Sequence, residues 1–551
     1  MKTTRRLEVF LANLAWLLAC LPGALAFLFA IGFPRFTQRR LLRRTLKRAA
    51  HTKYGRQRDF ERMPNDLDAF QSHPVSDFEA FRPFVDSINA GQINVLTAEP
   101  VILLQPTSGT SAARKMIPLT RGLLRQFRAA IGPWIASLYL LRPRLLLGRQ
   151  YWCISPNTHF PRADSAVPVG FADDAEYLGA WQRGFAARLM VAPPELARVD
   201  DPAAFEFLTL LFLVREKNLR LISVWHPSFL TLLLDALPKQ AGRLGDCLRT
   251  GALPDDLALR DDIRAALVAR LSPDPQRAGE FSGGMATLTA QLSWLWPRLQ
   301  VISCWAGHNA EPVLTRLRRA FPGVTIQPKG LLATEGVVSI PWGFSGKHVA
   351  AVRSHFLEFI EMESGRTMRL WELQRGQICS AVITTDGGLY RYRLHDLVRV
   401  ADFCGRTPCL EFVGRDGLVS DLCGEKLTGE DVKSALAHFT QTTGVIFQFA
   451  MAVPDVNGKI PGYVLILETA GESTLPAGEA GSTIFEELLQ RNFHYAHARR
   501  LGQLQPVRIL SVRNAAATCR DALVSRGRRH GEIKFPVLFK EAGLADDFRM
   551  S

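Results

Sequence analysis

The nine cysteines of this 551-residue chain include no C-x-x-C pair, and their number is odd. That argues against a disulfide framework and against a structural zinc site, and it implies reduced thiols in a cytosolic compartment. His494 and His497 stand three apart, but no third ligand accompanies them, so surface histidines are the better reading. No recognition motif accompanies the net charge of +15, so no nucleic-acid partner is expected. Much of that charge is local, in Arg39-Arg40, Arg43-Arg44 and Lys47-Arg48. Nucleotide phosphates or an anionic lipid surface account for it equally well. The apolar and charged fractions, 47% and 22%, are those of a globular chain, and the length suggests two or more domains.

Charge is also missing between Glu8 and Arg35. This stretch is long enough to cross a bilayer as a helix, and Pro22-Gly23 interrupts it near the middle. Three readings compete. The first is a membrane anchor or re-entrant hairpin through residues 9–34. The second is a secretory signal, with Lys2, Arg5 and Arg6 before the apolar run and Ala24-Leu25-Ala26 as a cleavage site. The third is an apolar helical arm packed on the body. More positive charge follows the segment than precedes it, which favours a cytoplasmic body attached to the membrane. An amphipathic helix at 38–50 is expected next, its basic outer face either solvated or lipid-facing, with Gly55 as its stop.

The rest of the chain is organised around residues 101–120, VILLQPTSGTSAARKMIPLT. Four apolar residues read as a buried strand. Thr107, Ser108, Gly109, Thr110 and Ser111 follow, small and mostly hydroxylated, then Lys115 and a capping Thr120. Such a loop can aim several N–H groups and hydroxyls at one oxyanion, and the lysine adds a point charge. The spacing does not fit G-x-x-x-x-G-K-[ST]. An ordinary polar turn is the alternative.

Strand and helix patterns alternate to about residue 330, with strands at 151–155, 219–224, 300–304 and 324–326 and helices at 203–215, 229–237 and 311–321. This predicts α/β layering. Residues 238–284, rich in Pro, Asp and Arg, read as a surface excursion. Thr334 and Glu335 follow the last of these strands, where a hydroxyl and a carboxylate could hold a phosphate oxygen and Mg²⁺. From His355 the strands shorten, at 356–361, 377–385, 389–394, 398–401 and 409–413, with a turn at Asp386-Gly387-Gly388; an antiparallel barrel is expected. Asp396 leaves one strand, placed to accept hydrogen bonds from ribose hydroxyls or to pair with Arg393 or Arg399. Beyond Arg415 a small α+β domain is expected, with helices at 430–439, 483–497 and 516–524 and strands at 445–453, 463–468 and 507–512. Lys534 near its end either swings into a cleft or snorkels on the surface. The segments are therefore 1–37, 38–415 and 416–551.

Taken in order, the small-residue loop, Thr334-Glu335, YRYRLHD at 390–396, Phe412-Val413-Gly414-Arg415 and Lys534-Phe535-Pro536 resemble the acyl-adenylate-forming superfamily. Within it, the chain is most similar to the Gretchen Hagen three family of auxin-responsive acyl acid amido synthetases. Glu425-Lys426-Leu427-Thr428-Gly429-Glu430 and Arg499-Arg500-Leu501-Gly502 fit further stretches of that family, and the likeness covers about residues 40–545. Three positions depart from its pattern: Leu331 stands where many plant members have tyrosine, His395 where the family has glycine, and Ala112 where the loop has its last glycine.

The resemblance implies a large α/β domain with an antiparallel β-barrel portion and a small mobile C-terminal α+β domain. It implies ATP and Mg²⁺ as cofactors and, as partners, a small carboxylic acid and an amine such as an amino acid. Thr107, Ser108, Gly109, Thr110, Ser111 and Lys115 would hold the β- and γ-phosphates. Thr334 would contact the α-phosphate, Glu335 would hold Mg²⁺, Asp396 the ribose, and Arg415 would lie near the nucleotide. Lys534 would be catalytic, neutralising charge between carboxylate and α-phosphate. The acyl pocket would come from residues 150–310, near Trp225 and Trp305. Two rivals remain: an acyl-CoA ligase, and a non-catalytic membrane-associated protein that keeps the fold.

Overall fold

A computed structural model of the chain describes residues 2–63, 66–106, 115–153, 166–169, 188–287, 291–306, 311–415, 419–469, 476, 480–526, 537–540 and 542–549. It divides into two compact units, the first Met1–Thr107 with Met116–Gly414 and the second Arg415–Ser551 with Ser108–Lys115.

The first unit opens with α1 (Lys2–Gly32), one unbroken helix with Pro22 inside it. The interruption expected at Pro22-Gly23 is absent. A proline costs a helix about 3 kcal/mol, and packing along a 31-residue helix outweighs that. Trp16, Cys20 and Phe27 are buried in the main core, and α1 packs along α6 (Arg121–Leu141). Buried Asn13 donates to the carbonyls of Leu146 (3.0 Å) and Gly148 (2.9 Å) and accepts from the Tyr139 hydroxyl (2.6 Å). The inner face thus behaves as the packed apolar arm. α2 (Pro34–Ala49) follows, then α3 (Lys53–Gln57), α4 (Leu67–Gln71) and α5 (Phe78–Asn89). Gly55 lies within α3 and is not the stop of α2; a Cβ there would sit 2.0 Å from the Ala49 carbonyl oxygen, so close packing requires the glycine.

β1 (Val101–Pro106) and β2 (Met116–Thr120) form an antiparallel pair, with Pro106 opposite Met116. Thr120 caps α6, accepting from the Leu123 N–H at 3.1 Å. β3 (Arg149–Trp152), β4 (Leu219–Ser223), β5 (Val301–Cys304) and β6 (Thr325–Pro328) make a parallel sheet in sequence order. Helices Pro202–Arg215, Pro227–Thr250 and Glu311–Ala320 alternate with these strands, as the layering predicted. The expected surface excursion is largely helical. Pro238 lies inside Pro227–Thr250, and Asp261–Val268 and Pro275–Ala286 follow. Leu244, Leu248, Ile263, Leu267 and Phe281 enter the second core there. The density of Pro, Asp and Arg hid their three-and-four spacing.

Seven strands then build one sheet: β7 (Ser339–Trp342), β8 (Lys347–Ala350), β9 (Phe356–Glu361), β10 (Thr367–Arg369), β11 (Ile378–Thr384), β12 (Tyr392–Cys404) and β13 (Thr407–Arg415). Their order is β10-β9-β11-β12-β13-β8-β7. The edges β10 and β7 do not pair among the described residues, so the sheet is open there and not the closed barrel that short alternating strands suggested. β12 is one long strand in place of the two expected at 389–394 and 398–401. Ser380 faces Leu397 while Val382 faces Arg393, so β12 carries two extra residues in a bulge between them.

The second unit holds a short pair, β14 (Val419–Ser420) and β15 (Leu427–Thr428), and a sheet of β16 (Phe447–Asp455), β17 (Gly462–Thr469) and β18 (Arg508–Ser511). Helices Gly429–Thr443 and Ala515–Ser525 match the expected α+β pattern. The helix expected at 483–497 is two, Ala480–Leu489 and Phe493–Arg500, because Asn492 restarts it by accepting from the N–H groups of His494 and Tyr495.

Candidate active site

Thr334 and Glu335 occupy the two central positions of a tight turn. Ala333 and Gly336 exchange backbone hydrogen bonds of 2.9 and 3.1 Å across it, and Leu332 bridges Val337. Both residues are half-buried. The turn is held from below by packing. A Cβ on Gly336 would lie 2.9 Å from His355 Nε2 and 3.0 Å from Ile383 Cδ1. His355 is fully buried, and burial pushes its imidazole down to about 3, so the ring is neutral. Its Nδ1 lies 3.1 Å from Gln126 Oε1, which also accepts from the Asp386 N–H at 2.8 Å. Nδ1 is therefore the protonated nitrogen. A glycine directly after the carboxylate was the one signal of this support in the sequence.

The YRYR stretch is mainly a frame. Tyr390 stacks on Tyr54 with centroids 5.1 Å apart, and its hydroxyl donates to the Leu96 carbonyl at 2.7 Å. Arg391 is buried; its Nε donates to Glu358 at 3.1 Å, and its Nη1 donates to the carbonyls of Gln71 and His73. Burial pushes the Glu358 carboxyl up, and the Arg391 charge opposes that. Tyr392 is the member that reaches the turn, its hydroxyl donating to Glu335 Oε1 at 3.4 Å. Strand β12, which carries Asp396, is thereby tied to the Thr334-Glu335 turn. Asp396 is buried and lies within the bulge. His395 before it has φ 62°, a left-handed backbone that glycine adopts without steric cost. The ring compensates with a 2.7 Å contact from Nε2 to Asp77 Oδ1. Arg399, one suggested partner of Asp396, pairs with Glu411 at 3.5 Å.

Ligands of parallel sheets sit beyond the C-terminal ends of the strands. Trp152, Trp225, Trp305 and Lys329 stand at or just past those ends of β3 to β6. The Trp305 N–H donates to the Trp225 carbonyl at 2.8 Å, so the two tryptophans named for the acyl pocket are neighbours in space. Trp305 packs edge-on against Phe412 at 4.7 Å. The Lys329 ammonium lies 4.6 Å from the Trp225 ring centroid, a cation–π contact that sequence reasoning missed.

Thr107, Ser108, Gly109, Thr110, Ser111 and Lys534 lie outside the described residues. Arg415 ends β13, but its side chain is likewise outside the description. Lys115 is half-buried, directly before β2. In the second unit, Arg499 of the Arg-Arg-x-Gly stretch is structural: it donates to buried Glu486, which also accepts from the Tyr495 hydroxyl (2.7 Å) and the Val507 N–H (2.8 Å). Glu425 is buried too, accepting from the Tyr463 hydroxyl and from the N–H groups of Leu422 and Cys423 at 2.7 and 2.8 Å.

Comparison with known proteins agrees with this organisation. The GH3 family N-terminal domain matches residues 32–326, the central domain residues 348–415 and the C-terminal domain residues 430–543. The probable indole-3-acetic acid-amido synthetase GH3.12 of Oryza sativa subsp. japonica is 24% identical over 441 residues, 72% of each chain. The structure of GH3.15 acyl acid amido synthetase shares the fold, with a TM-score of 0.63, 20% identity and 96% of each chain covered. 2-Hydroxyisobutyryl-CoA ligase, solved with 2-HIB-AMP and CoA, shares it more distantly, with a TM-score of 0.52, 15% identity and coverage of 94% of this chain and 91% of that one.

Proposed function

Because this chain belongs to the GH3 family, we propose that it is an ATP-dependent acyl acid amido synthetase. In the first step a carboxylate oxygen attacks the α-phosphorus of ATP, and the bond to the bridging oxygen breaks to release pyrophosphate. In the second, an amine nitrogen attacks the acyl carbon of the adenylate, the carbon–oxygen bond to AMP breaks, and the nitrogen loses a proton. The observation that carries the reading is the set of three family domains in order along nearly the whole chain.

The first step brings an anion to a polyanion, so catalysis rests on positioning and charge. We assign the phosphates to Thr107, Ser108, Gly109, Thr110, Ser111 and Lys115, the α-phosphate to Thr334, the ribose to Asp396, and a place near the nucleotide to Arg415. Glu335 fits a magnesium ion: a hard oxygen donor at a half-exposed turn suits a metal that keeps most of its waters and takes one carboxylate besides substrate phosphates. When bound, that ion offsets phosphate charge. The Tyr392 hydroxyl and the packing under Gly336 hold Glu335 for this task. Lys534 is assigned to the charge between carboxylate and α-phosphate, brought in by movement of a small C-terminal domain, 416–551, against an adenylating body, 38–415. Nine free cysteines suit a cytoplasmic body.

The test is pyrophosphate release by the full chain across a panel of carboxylic acids, followed by product analysis with amino acids or coenzyme A. Release that depends on acid, with an amide product, is expected, and Glu335→Gln should lower kcat about 10²-fold or more. A thioester product would instead make the chain an acyl-CoA ligase. No acid-dependent release with any acid would leave a binding protein that keeps the fold.

A further inference from the structure

From Val9 onward α1 carries no charge, yet only one side of it is buried. The opposite side presents Leu7, Leu11, Leu18, Leu25 and Phe29, with Phe33 just past its end, each between 51% and 66% exposed. Their spacing of four and seven residues puts Leu7 to Phe29 on one stripe of the helix. At a rise of 1.5 Å per residue, the stripe from Leu7 to Phe29 is about 33 Å long. Exposed apolar surface of that extent on a soluble body marks a docking face. The neighbouring helix indicates its occupant. Phe36 is exposed on the first turn of α2, and Arg35, Arg39, Arg40, Arg43, Arg44 and Lys47 project from the same helix. None of these six forms an ion pair among the described residues, whereas Arg48 is paired with Asp386 at 2.9 Å. An uncharged ridge continuing into an unneutralised basic face is the chemistry of an anionic lipid surface.

The buried side decides the mode of attachment. Asn13 is held by the carbonyls of Leu146 and Gly148 and by Tyr139. Arg353 donates to the Gly23 carbonyl at 3.0 Å, and the Arg406 N–H (2.9 Å) and Thr407 hydroxyl (3.0 Å) donate to that of Ile31. The helix is thus fastened near its start, middle and end. Crossing a bilayer would strip all three attachments and leave buried polar groups unpaired. We infer that α1 is a monotopic membrane seat: it stays on the body, lies in the plane of an anionic bilayer with its Leu7–Phe33 ridge in the acyl boundary, and is flanked by the basic face of α2. This inference is independent of the amide-forming reaction.

The experiment is flotation of the full chain with vesicles of phosphatidylcholine alone or with about one third phosphatidylserine. Binding to the anionic vesicles is expected, with little to phosphatidylcholine alone. Leu18→Gln/Leu25→Gln/Phe29→Gln should abolish it. Arg39→Gln/Arg40→Gln/Arg43→Gln/Arg44→Gln should weaken it at least about tenfold and remove its salt dependence. Ile93→Gln/Ile446→Gln, at exposed apolar sites elsewhere, should bind normally. The inference is overturned by failure to bind either vesicle, by equal binding to both vesicles, or by a dimer that the ridge substitutions dissociate (a second copy as occupant). An unchanged melting temperature in each variant separates lost binding from lost folding.

Discussion

Replacing Gly336 by alanine tests whether the Thr334-Glu335 turn is positioned by the buried neutral ring beneath it. The added Cβ would lie 2.9 Å from His355 Nε2, and 3.0 Å from both His355 Cδ2 and Ile383 Cδ1. Contacts that short require something to move. The ring cannot swing away cheaply, because its Nδ1 is bonded to Gln126 and Phe127 packs edge-on against it at 5.8 Å. The turn must give instead. Overpacking of this kind costs about 1–3 kcal/mol, which a thermal melt reads as a fall of a few degrees. Movement of Glu335 by up to about 1 Å would lower acid-dependent pyrophosphate release by as much as about 10²-fold. Gly132→Ala is the control: it lies inside α6 with nothing within 4 Å of the added Cβ, so it should leave activity unchanged and stability equal or slightly higher. A Gly336→Ala protein with the native melting temperature and full pyrophosphate release would refute the reasoning.

Two further predictions concern other parts of the chain. Burial pushes the Glu425 carboxyl up to about 7, and repulsion from Asp421 adds to this, against hydrogen bonds from Tyr463 and two backbone N–H groups. The folded group therefore keeps a proton that the unfolded chain releases above about 4.5, so its stabilising effect is complete below that pH and is lost as pH rises to about 7, for a total of about 3 kcal/mol. Hydrogen exchange in β16 and β17 should show Glu425→Gln better protected than the native chain at pH 8 and little different at pH 4.5; equal protection at both would rule this out. At His395, whose φ is 62°, glycine should be more stable than alanine by about 1 kcal/mol, since both lose the Asp77 contact but only alanine keeps the backbone cost. Equal melting temperatures for the two variants would contradict that account.

Much of the fold was legible because its cause is local. The strand at 356–361 is β9 to the residue, and the helices and strands of the second unit fall within a few residues of their expected places, because apolar period and capping residues are written in adjacent positions. Elements were misread where tertiary packing overrides a local signal. Pro22 and Pro238 suggested breaks, yet both sit inside helices because each helix buries a long apolar face.

For the site, the sequence alone determined the chemistry on offer: a hydroxyl and a carboxylate side by side at 334–335, an aspartate leaving a strand at 396, and small residues with a lysine after β1. Only the tertiary structure decided that YRYR is chiefly scaffolding, that Tyr392 joins the Asp396 strand to Glu335, and that a neutral histidine lies under Gly336. It also decided which side of α1 faces outward. The physical reason is the same throughout. Residue type fixes what a group can donate, accept or bury. Partners tens to hundreds of positions away fix whether it does, and long-range packing is not recorded in any short window of sequence.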